Sequence, residues 1–421
     1  MLLGGLTLSV CAQAETKSYF KILEMPGFSS GISDNGKWVI STVSQTEAFL
    51  YNDDTGAIIS LLTGNIASCE AYDVTDSGMV VGNADNQPAY YMDGKWHMLD
   101  IPAGFAEGTC KLVAAEGSMI LGELSNGLYF TPVVWKNNVP ELMEVLPKDP
   151  FGKAPAAGFK IAAVSGDGSR VGGKVISSEY SWYPVLWDNE TPDYIGTDLF
   201  VTDKGKPNQF ELREMNISDN GRFMVLDVID ATSRYPYLWD IDNDILTLLD
   251  GELICVVDND GRVFSCSPQD DFARTTFVHE EGETYVFENW VKDNFGLDIF
   301  ANKNVETSGT PMGISADGNT ITGFCTGHKY LYNYILHLDP SDANKLVDNT
   351  APKPTVVTRK SDIIVHSESG ASVSVTDISG RKVFEGVMKE NTCQIPLNPG
   401  SYIVSVIRKG SVFTNKTLVS Y

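Results

Sequence analysis

Ala71-Tyr-Asp-Val-Thr-Asp-Ser-Gly78-Met-Val-Val-Gly82 is the stretch that decides the fold of this chain. Two apolar runs of β-forming residues flank a polar turn, in which Asp76 and Gly78 suit the tight backbone of a hairpin. A second pair of runs follows from Pro88 to Leu99, with its own turn at Asp93-Gly94. Together these runs predict one unit of four antiparallel strands.

Variants of this unit recur along most of the chain. Neighbouring turn glycines lie 39 to 57 residues apart, and they are Gly36, Gly78, Gly117, Gly168, Gly221, Gly261 and Gly318. A period of about 40 to 50 residues with four strands per unit is typical of propeller blades, whereas helical repeats would show a 3.6-residue periodicity. The pattern therefore predicts an all-β fold, a β-propeller with seven blades, six or eight being the alternatives.

Each unit also carries an aromatic residue at one place, in a strand that the pattern buries between blades. These residues are expected to pack rather than to bind, and they are Tyr51, Tyr91, Trp135, Trp187 and Trp239. A run at Phe20 to Leu23 precedes the first unit, and we expect it to close the ring as the outermost strand of the last blade. An open array, with bare sheet edges, is the alternative.

The repeats resemble a known family. Glu47-Ala-Phe-Leu-Tyr51, followed by the stretch from Ala71 to Gly82, is similar to the HAF-type extracellular repeat over about residues 30 to 340. Glu47 stands where that repeat has a leading His. The resemblance implies a secreted β-propeller and no particular ligand.

The N-terminus carries signs of export. Residues 1–14 predict a signal peptide. They contain an apolar run that is followed by Ala12-Gln13-Ala14, which fits a signal-peptide cleavage site. Leu8-Ser9-Val10-Cys11 leaves lipidation of Cys11 as an alternative. No other stretch reaches the ~18 apolar residues that a transmembrane span needs. We therefore expect the propeller to occupy residues 15–340 and the mature chain to have no transmembrane span.

The composition changes after Pro340. Residues 341–360 predict a linker, and residues 361–421 predict a small β-sandwich with short alternating strands. The tail, with Val375-Thr-Asp-Ile-Ser-Gly-Arg-Lys-Val-Phe384 and Leu397-Asn-Pro-Gly-Ser-Tyr402, resembles the sorting domain of type IX secretion in Bacteroidetes, although the opening Tyr-Pro-Asn-Pro is missing. The resemblance implies secretion or anchoring machinery as a partner, at the outer surface of a Gram-negative bacterium or beyond it. The periplasm, with a sandwich of purely structural role, is the alternative.

Charge and cysteine spacing exclude several classes of protein. With 31 Lys and Arg against 55 Asp and Glu, the net charge of −24 disfavours nucleic acid as a partner. The cysteines show no CxxC spacing, which disfavours a zinc site. Cys255 and Cys266 would face each other if Asp260-Gly261 formed a two-residue hairpin loop, so a disulfide and two buried thiols both stay open.

Motifs for chemistry are weak throughout. Gly27-Phe-Ser29-Ser-Gly31 matches the esterase pattern but precedes another strand rather than the required helix. The weak candidates for a calcium site are Asp240, Asp242 and Asp244, which lack the glycine and the final glutamate of such a loop. No metal and no cofactor is therefore expected.

Long insertions interrupt the repeat, and loops on rigid scaffolds often carry function. Their aromatic residues are the candidates for an exposed ligand-binding surface: Trp182 and Tyr183 in one insertion and Trp290 in another. The leading hypothesis is a secreted or cell-surface protein of binding or adhesion, non-catalytic, that recognises a glycan, peptide or protein. The alternative is a glycan hydrolase or lyase with carboxylates meeting at the central channel, which requires no linear motif.

Overall fold

A computed structural model describes residues 18–44, 46–127, 129–179, 181–196, 211–229, 234–249, 253–267, 275–301, 305–327, 330–342, 354–359, 362–367, 369–377, 381–408 and 411–419. The predicted signal peptide, Cys11 and Tyr180 lie outside these residues.

Strands dominate these residues. The first strand, β1, spans Tyr19–Leu23. Blades 1 to 3 contain β2 (Phe28–Ile32), β3 (Trp38–Val43), β4 (Glu47–Asn52), β5 (Ala57–Ser60), β6 (Cys69–Val74), β7 (Val80–Ala84), β8 (Gln87–Met92), β9 (Lys95–Met98), β10 (Glu107–Ala114), β11 (Met119–Ser125), β12 (Phe130–Lys136) and β13 (Val139–Leu142). Blades 4 and 5 contain β14 (Phe159–Val164), β15 (Arg170–Ile176), β16 (Trp182–Asp188), β17 (Thr191–Tyr194), β18 (Glu211–Ile217), β19 (Phe223–Ile229), β20 (Arg234–Asp240) and β21 (Ile245–Leu248).

The last two blades follow the same plan with one addition. Blade 6 contains β22 (Leu253–Val257), β23 (Val263–Cys266), β24 (Thr276–Glu280) and β25 (Glu283–Val286), and blade 7 contains β26 (Thr307–Ile314), β27 (Thr320–Gly327) and β28 (Tyr330–His337). Helix α1 (Phe287–Phe295) lies between them, and short 3-10 turns occur at Ala115–Gly117, Ile299–Ala301 and Pro340–Asp342.

Each blade is an open, four-stranded antiparallel sheet whose strands pair in chain order, except that β1 completes blade 7 beyond β28. The innermost strands contact one another in a closed cycle that runs β2, β6, β10, β14, β18, β22, β26 and back to β2. The architecture is therefore a seven-bladed β-propeller, as the repeats predict.

The predicted closing strand is confirmed. Tyr19 to Leu23 of β1 pair with His337 to Asn333 of β28 in antiparallel register. Asn333 fixes the junction further, because its side chain accepts the Ser29 N–H at 2.8 Å and donates to the Met25 carbonyl at 2.7 Å. The edge of β28 is therefore covered, and β1 becomes the outermost strand of blade 7.

The recurring polar turn has a common hydrogen-bond pattern. Its serine hydroxyl donates to the Asx side chain two residues later and accepts the N–H of the residue that opens the next strand; Ser218 does so with Asn220 at 2.7 Å and with Phe223 at 3.0 Å. Ser33, Ser165 and Ser315 repeat both bonds. The turn is therefore fixed locally, before any packing between blades.

The blades pack through the aromatic residues that the sequence assigned to packing. Trp135 and Trp187 are wholly buried, and each donates its indole N–H to a main-chain carbonyl, of Asp100 at 2.9 Å and of Glu144 at 2.6 Å. Tyr51 is also buried. The rings of Trp135 and Trp187 therefore have no face free for a sugar, whereas Trp239 is only partly buried.

Two expectations about the chain between strands are wrong. The insertion around Phe287 forms helix α1 rather than an exposed loop, because Phe287, Trp290 and Val291 share one face and are buried. The register of blade 6 also differs: Cys266 pairs with Leu253, and a bulge between Ile254 and Val256 displaces Cys255. A two-residue loop at Asp260-Gly261 would have paired Cys255 with Cys266. In the observed register the two cysteines are not directly opposite each other.

The tail forms a second unit, a β-sandwich. Its strands are β29 (Thr355–Arg359), β30 (Asp362–His366), β31 (Ser372–Asp377), β32 (Lys382–Val387), β33 (Thr392–Pro396), β34 (Gly400–Arg408) and β35 (Ser411–Val419). One sheet has the order β29-β30-β33 and the other β32-β31-β34-β35, around a core that includes Ile363, Val375 and Val404. Strand β29 lies within residues 341–360, in the segment predicted as a linker. Among the described residues, no helix is long and apolar enough to cross a membrane.

Candidate functional site

The cavity on the propeller axis is the candidate site. It has a volume of about 210 Å³, and the inner strands of all seven blades contribute to its wall. Much of that wall is small or apolar, as at Gly31, Ala114 and Ala163. The cavity opens among the polar turns that join each inner strand to the second strand of its blade.

The turns, together with the ends of β6 and β10, form a continuous hydrogen-bonded rim, which we call the turn rim. Neighbouring blades are joined by the bonds Asn35 N–H to Asp76, Val113 N–H to Asp73, Ala115 N–H to Gly166, Gly166 N–H to Asp219, Asn220 N–H to Asn259, Asn259 Nδ2 to Ala316 and Ala316 N–H to Asp34. The bonds measure 2.7 to 2.9 Å and return to the first blade. The rim therefore holds its side chains on a fixed circle around the axis.

The cavity is acidic. The carboxylates that line it belong to Asp34, Asp73, Glu116, Asp219 and Asp258, and no Lys, Arg or His is among the described residues that line it. The electrostatic potential at this mouth is consequently negative.

Two of these carboxylates form bonds that stabilise the fold. Asp73 accepts the N–H groups of Val74 and Val113, both at 2.9 Å, and so joins blade 2 to blade 3. Burial nevertheless raises the pKa of Asp73 to about 6. Asp258 accepts the Arg262 N–H at 2.8 Å and lies 3.3 Å from the Arg262 guanidinium.

Asp34 and Glu116 differ from these two. Neither carboxylate accepts a hydrogen bond from the described part of the chain, and Asp34 is exposed to the cavity mouth. Desolvation raises the pKa of Asp34 to about 7, with further contributions from Asp219 and other acids of the rim. Desolvation and neighbouring acids also raise the pKa of Glu116. These groups are available to a ligand that carries positive charge or hydrogen-bond donors.

The predicted calcium residues do not share a site. Asp240 binds the Arg222 guanidinium at 2.7 Å, Asp242 binds Arg170 at 2.7 Å, and Asp244 accepts the Trp239 indole N–H at 3.3 Å. The three carboxylates thus serve three different donors. No group of three or more potential metal ligands occurs among the described residues.

The predicted aromatic surface is only partly present. Tyr183 is 1% exposed and belongs to the core between blades, and Trp290 is 4% exposed on helix α1. Their expected exposure is therefore wrong, since hydrophobic packing buries both rings. Trp182, at the start of β16, is partly exposed beside Lys160 and Lys174.

Sequence reasoning named no residue of the axial cavity as a site. Its carboxylates come from turns far apart in the chain, and each alone reads as an ordinary hairpin residue. One sequence pattern could have indicated an acidic site. The residue that follows the turn serine or threonine is an aspartate in three turns, at Asp34, Asp76 and Asp219.

Comparisons with known proteins add little. No family model matches the chain, and no curated protein matches it. Among solved structures, the chain is similar to an oligogalacturonate lyase in complex with manganese, with a TM-score of 0.48 and 10% identity over 78% of this chain and 98% of that one. It is also similar to hydrazine synthase of Kuenenia stuttgartiensis, with a TM-score of 0.45 and 11% identity over 76% of this chain and 97% of that one. Such neighbours carry no information on ligand or activity, and the strand order defines the class of protein, a propeller with a C-terminal sandwich.

Proposed function

We propose that this protein is a non-catalytic binding or adhesion propeller that recognises a peptide or protein partner through a cationic group at its axial cavity. The observation that carries the proposal is the set of carboxylates around the mouth, with no cationic side chain among the described residues that line it. A lysine or arginine side chain of a partner fits this chemistry, because charge-assisted hydrogen bonds to carboxylates are among the strong polar contacts.

The cellular location of the protein is part of the same proposal. Residues 1–14 support export, and the resemblances to an extracellular repeat and to a type IX sorting domain support secretion to, or display on, the outer surface of a Gram-negative bacterium. Fractionation of cells that express the full chain tests the address, and protein confined to the cytoplasm would contradict it.

Binding at the cavity is tested with a panel of short synthetic peptides of basic, neutral and acidic composition. We expect the basic peptides to bind and the double variant Asp34→Asn with Asp219→Asn to weaken that binding about tenfold. Glu141→Gln is the matched control, since this exposed carboxylate pairs with Lys136 away from the axis. Equal binding by both variants, or preference for acidic peptides, would contradict the proposal.

A second candidate is a glycan hydrolase or lyase. The observation that favours it is the Asp34 carboxyl, whose pKa of about 7 suits a general acid near other carboxylates. Turnover of a glycan that disappears in Asp34→Asn but persists in Glu141→Gln would establish this function in place of the first.

A further inference from the structure

A basic and aromatic cluster lies at the end of the blades away from the turn rim. Lys160 is the second residue of β14 and pairs directly with Lys174 of β15, across the ladder of blade 4. Like charges directly opposite each other destabilise an antiparallel pair. In a chain of net charge −24, stability does not explain why two lysines face each other.

The Glu123 carboxylate acts on Lys160 but forms its salt bridge with a third lysine. Lys111 of blade 3 lies 2.8 Å from the buried Glu123 carboxylate, which also accepts the Ile161 N–H at 3.1 Å. Lys174 donates to the Arg213 carbonyl at 2.6 Å, which provides no negative charge. Within the described residues, no carboxylate lies within 4.0 Å of the ammonium of Lys160 or Lys174.

Aromatic rings hold these ammonium groups in place. The Lys160 Nζ lies 3.9 Å from the centre of the Phe130 ring and 5.5 Å from that of Trp182, and the Lys174 Nζ lies 5.0 Å from Trp182. Cation–π contacts orient an ammonium without neutralising it. Burial lowers the pKa of Lys160, the Glu123 carboxylate opposes this shift, and the nearby Lys111 and Lys174 add to it. Two positive charges and a partly exposed indole thus share one small surface, which we call the Lys160 patch.

We propose that the Lys160 patch binds an acidic oligosaccharide, with the uronate carboxylate on Lys160 and Lys174 and the sugar ring against Trp182. An acidic sugar supplies both an anion for the ammonium groups and an apolar ring face for the indole. A neutral sugar leaves the charges unpaired, and a bare inorganic anion leaves the ring unused. The proposal is independent of the axial cavity, which lies at the other end of the blades.

The test is a titration of the full chain with acidic oligosaccharides of hyaluronan, chondroitin and alginate, each compared with its carboxyl-reduced form. The reduced form retains the ring and loses the charge. We expect at least one acidic probe to bind about tenfold more tightly than its reduced form. Lys174→Gln and Trp182→Ala should each weaken that binding about tenfold.

The matched control is Lys136→Gln, which removes the same charge from a lysine already paired with Glu141 and Glu190. We expect its affinity to stay within about twofold of the unchanged chain, because a screened charge outside the patch adds little. Equal weakening by Lys136→Gln would overturn the proposal in favour of general charge attraction. Equal affinity for acidic and reduced probes, or no binding of any acidic probe, would also overturn it.

Thermal unfolding separates this role from a structural one. Because Lys174 faces Lys160 across the ladder, Lys174→Gln should unfold at the same temperature as the unchanged chain or higher, while it binds more weakly. A variant that loses affinity only because it loses stability would contradict the proposal. Lys160→Gln provides the same comparison from the opposite strand.

Discussion

At the scale of single residues, the glycine that ends the repeated motif in four blades lies opposite a bulge on the neighbouring inner strand, a place that Ser41 and Ser265 occupy in blades 1 and 6. In blade 2 the ladder shifts between Ala71 and Asp73, opposite Gly82, and a Cβ added at Gly82 would lie 1.8 Å from the Glu70 carbonyl oxygen. Gly122, Gly173 and Gly323 occupy the same place and meet the same backbone oxygen in their own blades. In blade 5 this position is Leu226, and there the bulge lies elsewhere, between Leu212 and Glu214.

Gly122→Ala tests this explanation. The new Cβ would lie 1.9 Å from the Thr109 carbonyl oxygen and 2.8 Å from the Trp135 ring, so we expect a loss of about 3 kcal/mol in the free energy of unfolding. Ser41→Ala, at the equivalent place in blade 1, removes only a hydrogen bond to Pro26 and should cost about 1 kcal/mol. Urea denaturation measures both, and an equal cost would contradict the steric account.

Asp34 should make stability depend on pH. Its pKa is raised to about 7, so between about pH 4 and 7 the folded state retains a proton that the unfolded state has lost. Stability from this group is therefore present at low pH and is lost as the pH rises through 7. Asp34→Asn should raise the melting temperature at pH 8 by about 2 °C and leave it nearly unchanged at pH 4.5, a small effect because the group is partly hydrated. Asp54→Asn, whose carboxylate pairs with Lys37 at the surface, is the control. A pH profile for Asp34→Asn that parallels the original would contradict this account.

At the scale of elements, helix α1 interrupts the repeat between blades 6 and 7 and packs against blade 6. Trp290 lies 6.2 Å from Phe264 of β23 and 5.5 Å from Phe295, measured between ring centres. Its indole N–H donates to Glu280 at 3.0 Å, and the Arg262 guanidinium lies 5.1 Å from its ring. The helix ends at Gly296, where a φ of 68° suits glycine.

Trp290→Ala should therefore destabilise the protein. The lost contacts leave a cavity beside Phe264, and we expect a cost of about 3 to 5 kcal/mol in the free energy of unfolding. Trp290→Phe, which retains most of the packing but loses the bond to Glu280, should cost about half as much or less. Chemical denaturation followed by circular dichroism measures both, and a neutral Trp290→Ala would show that α1 does not brace the blade.

The features that the sequence could predict are those formed by residues close together in the chain. The strands and turns were predictable, because Ser218 and Asn220 form their bonds within one turn and similar residues recur at Ser33, Ser165 and Ser315. Helix α1 was missed although Phe287, Trp290 and Val291 have helical spacing and Gly296 follows them. The axial carboxylates were beyond a linear pattern, since only the closure of the ring brings them together. The exposure of Tyr183 was misjudged for a related reason: an interruption of the repeat does not show on which side a ring packs.

At the scale of the whole molecule, one strand pairing and one rim of turns complete the ring. The pairing of β1 with β28 covers the edge that β28 would otherwise present. The turn rim joins the same two ends of the propeller through the Ala316 N–H and the Asp34 carbonyl, which are 2.8 Å apart. Closure is thus made both at the periphery and beside the axis.

Loosening β1 should affect the whole propeller. Phe20 and Ile22 pack against the core that blades 6 and 7 share, so the double variant Phe20→Ala with Ile22→Ala should lose about 3 kcal/mol or more and associate through the bared edge of β28. Ile58→Ala with Ile59→Ala, on the exposed outer strand of blade 1, is the control and should change stability little. Urea denaturation and light scattering distinguish the two variants, and similar results for both would contradict the role of β1.

The pairing of β1 with β28 also has a consequence for the order in which the chain acquires its structure. Tyr19 pairs with His337, so β1 leaves the ribosome well before its partner strand and remains unpaired until the other blades have been synthesised. Joining segments so distant in sequence carries a large entropic cost and is a slow event in folding. During that interval blade 7 lacks its outermost strand and the ring is not closed.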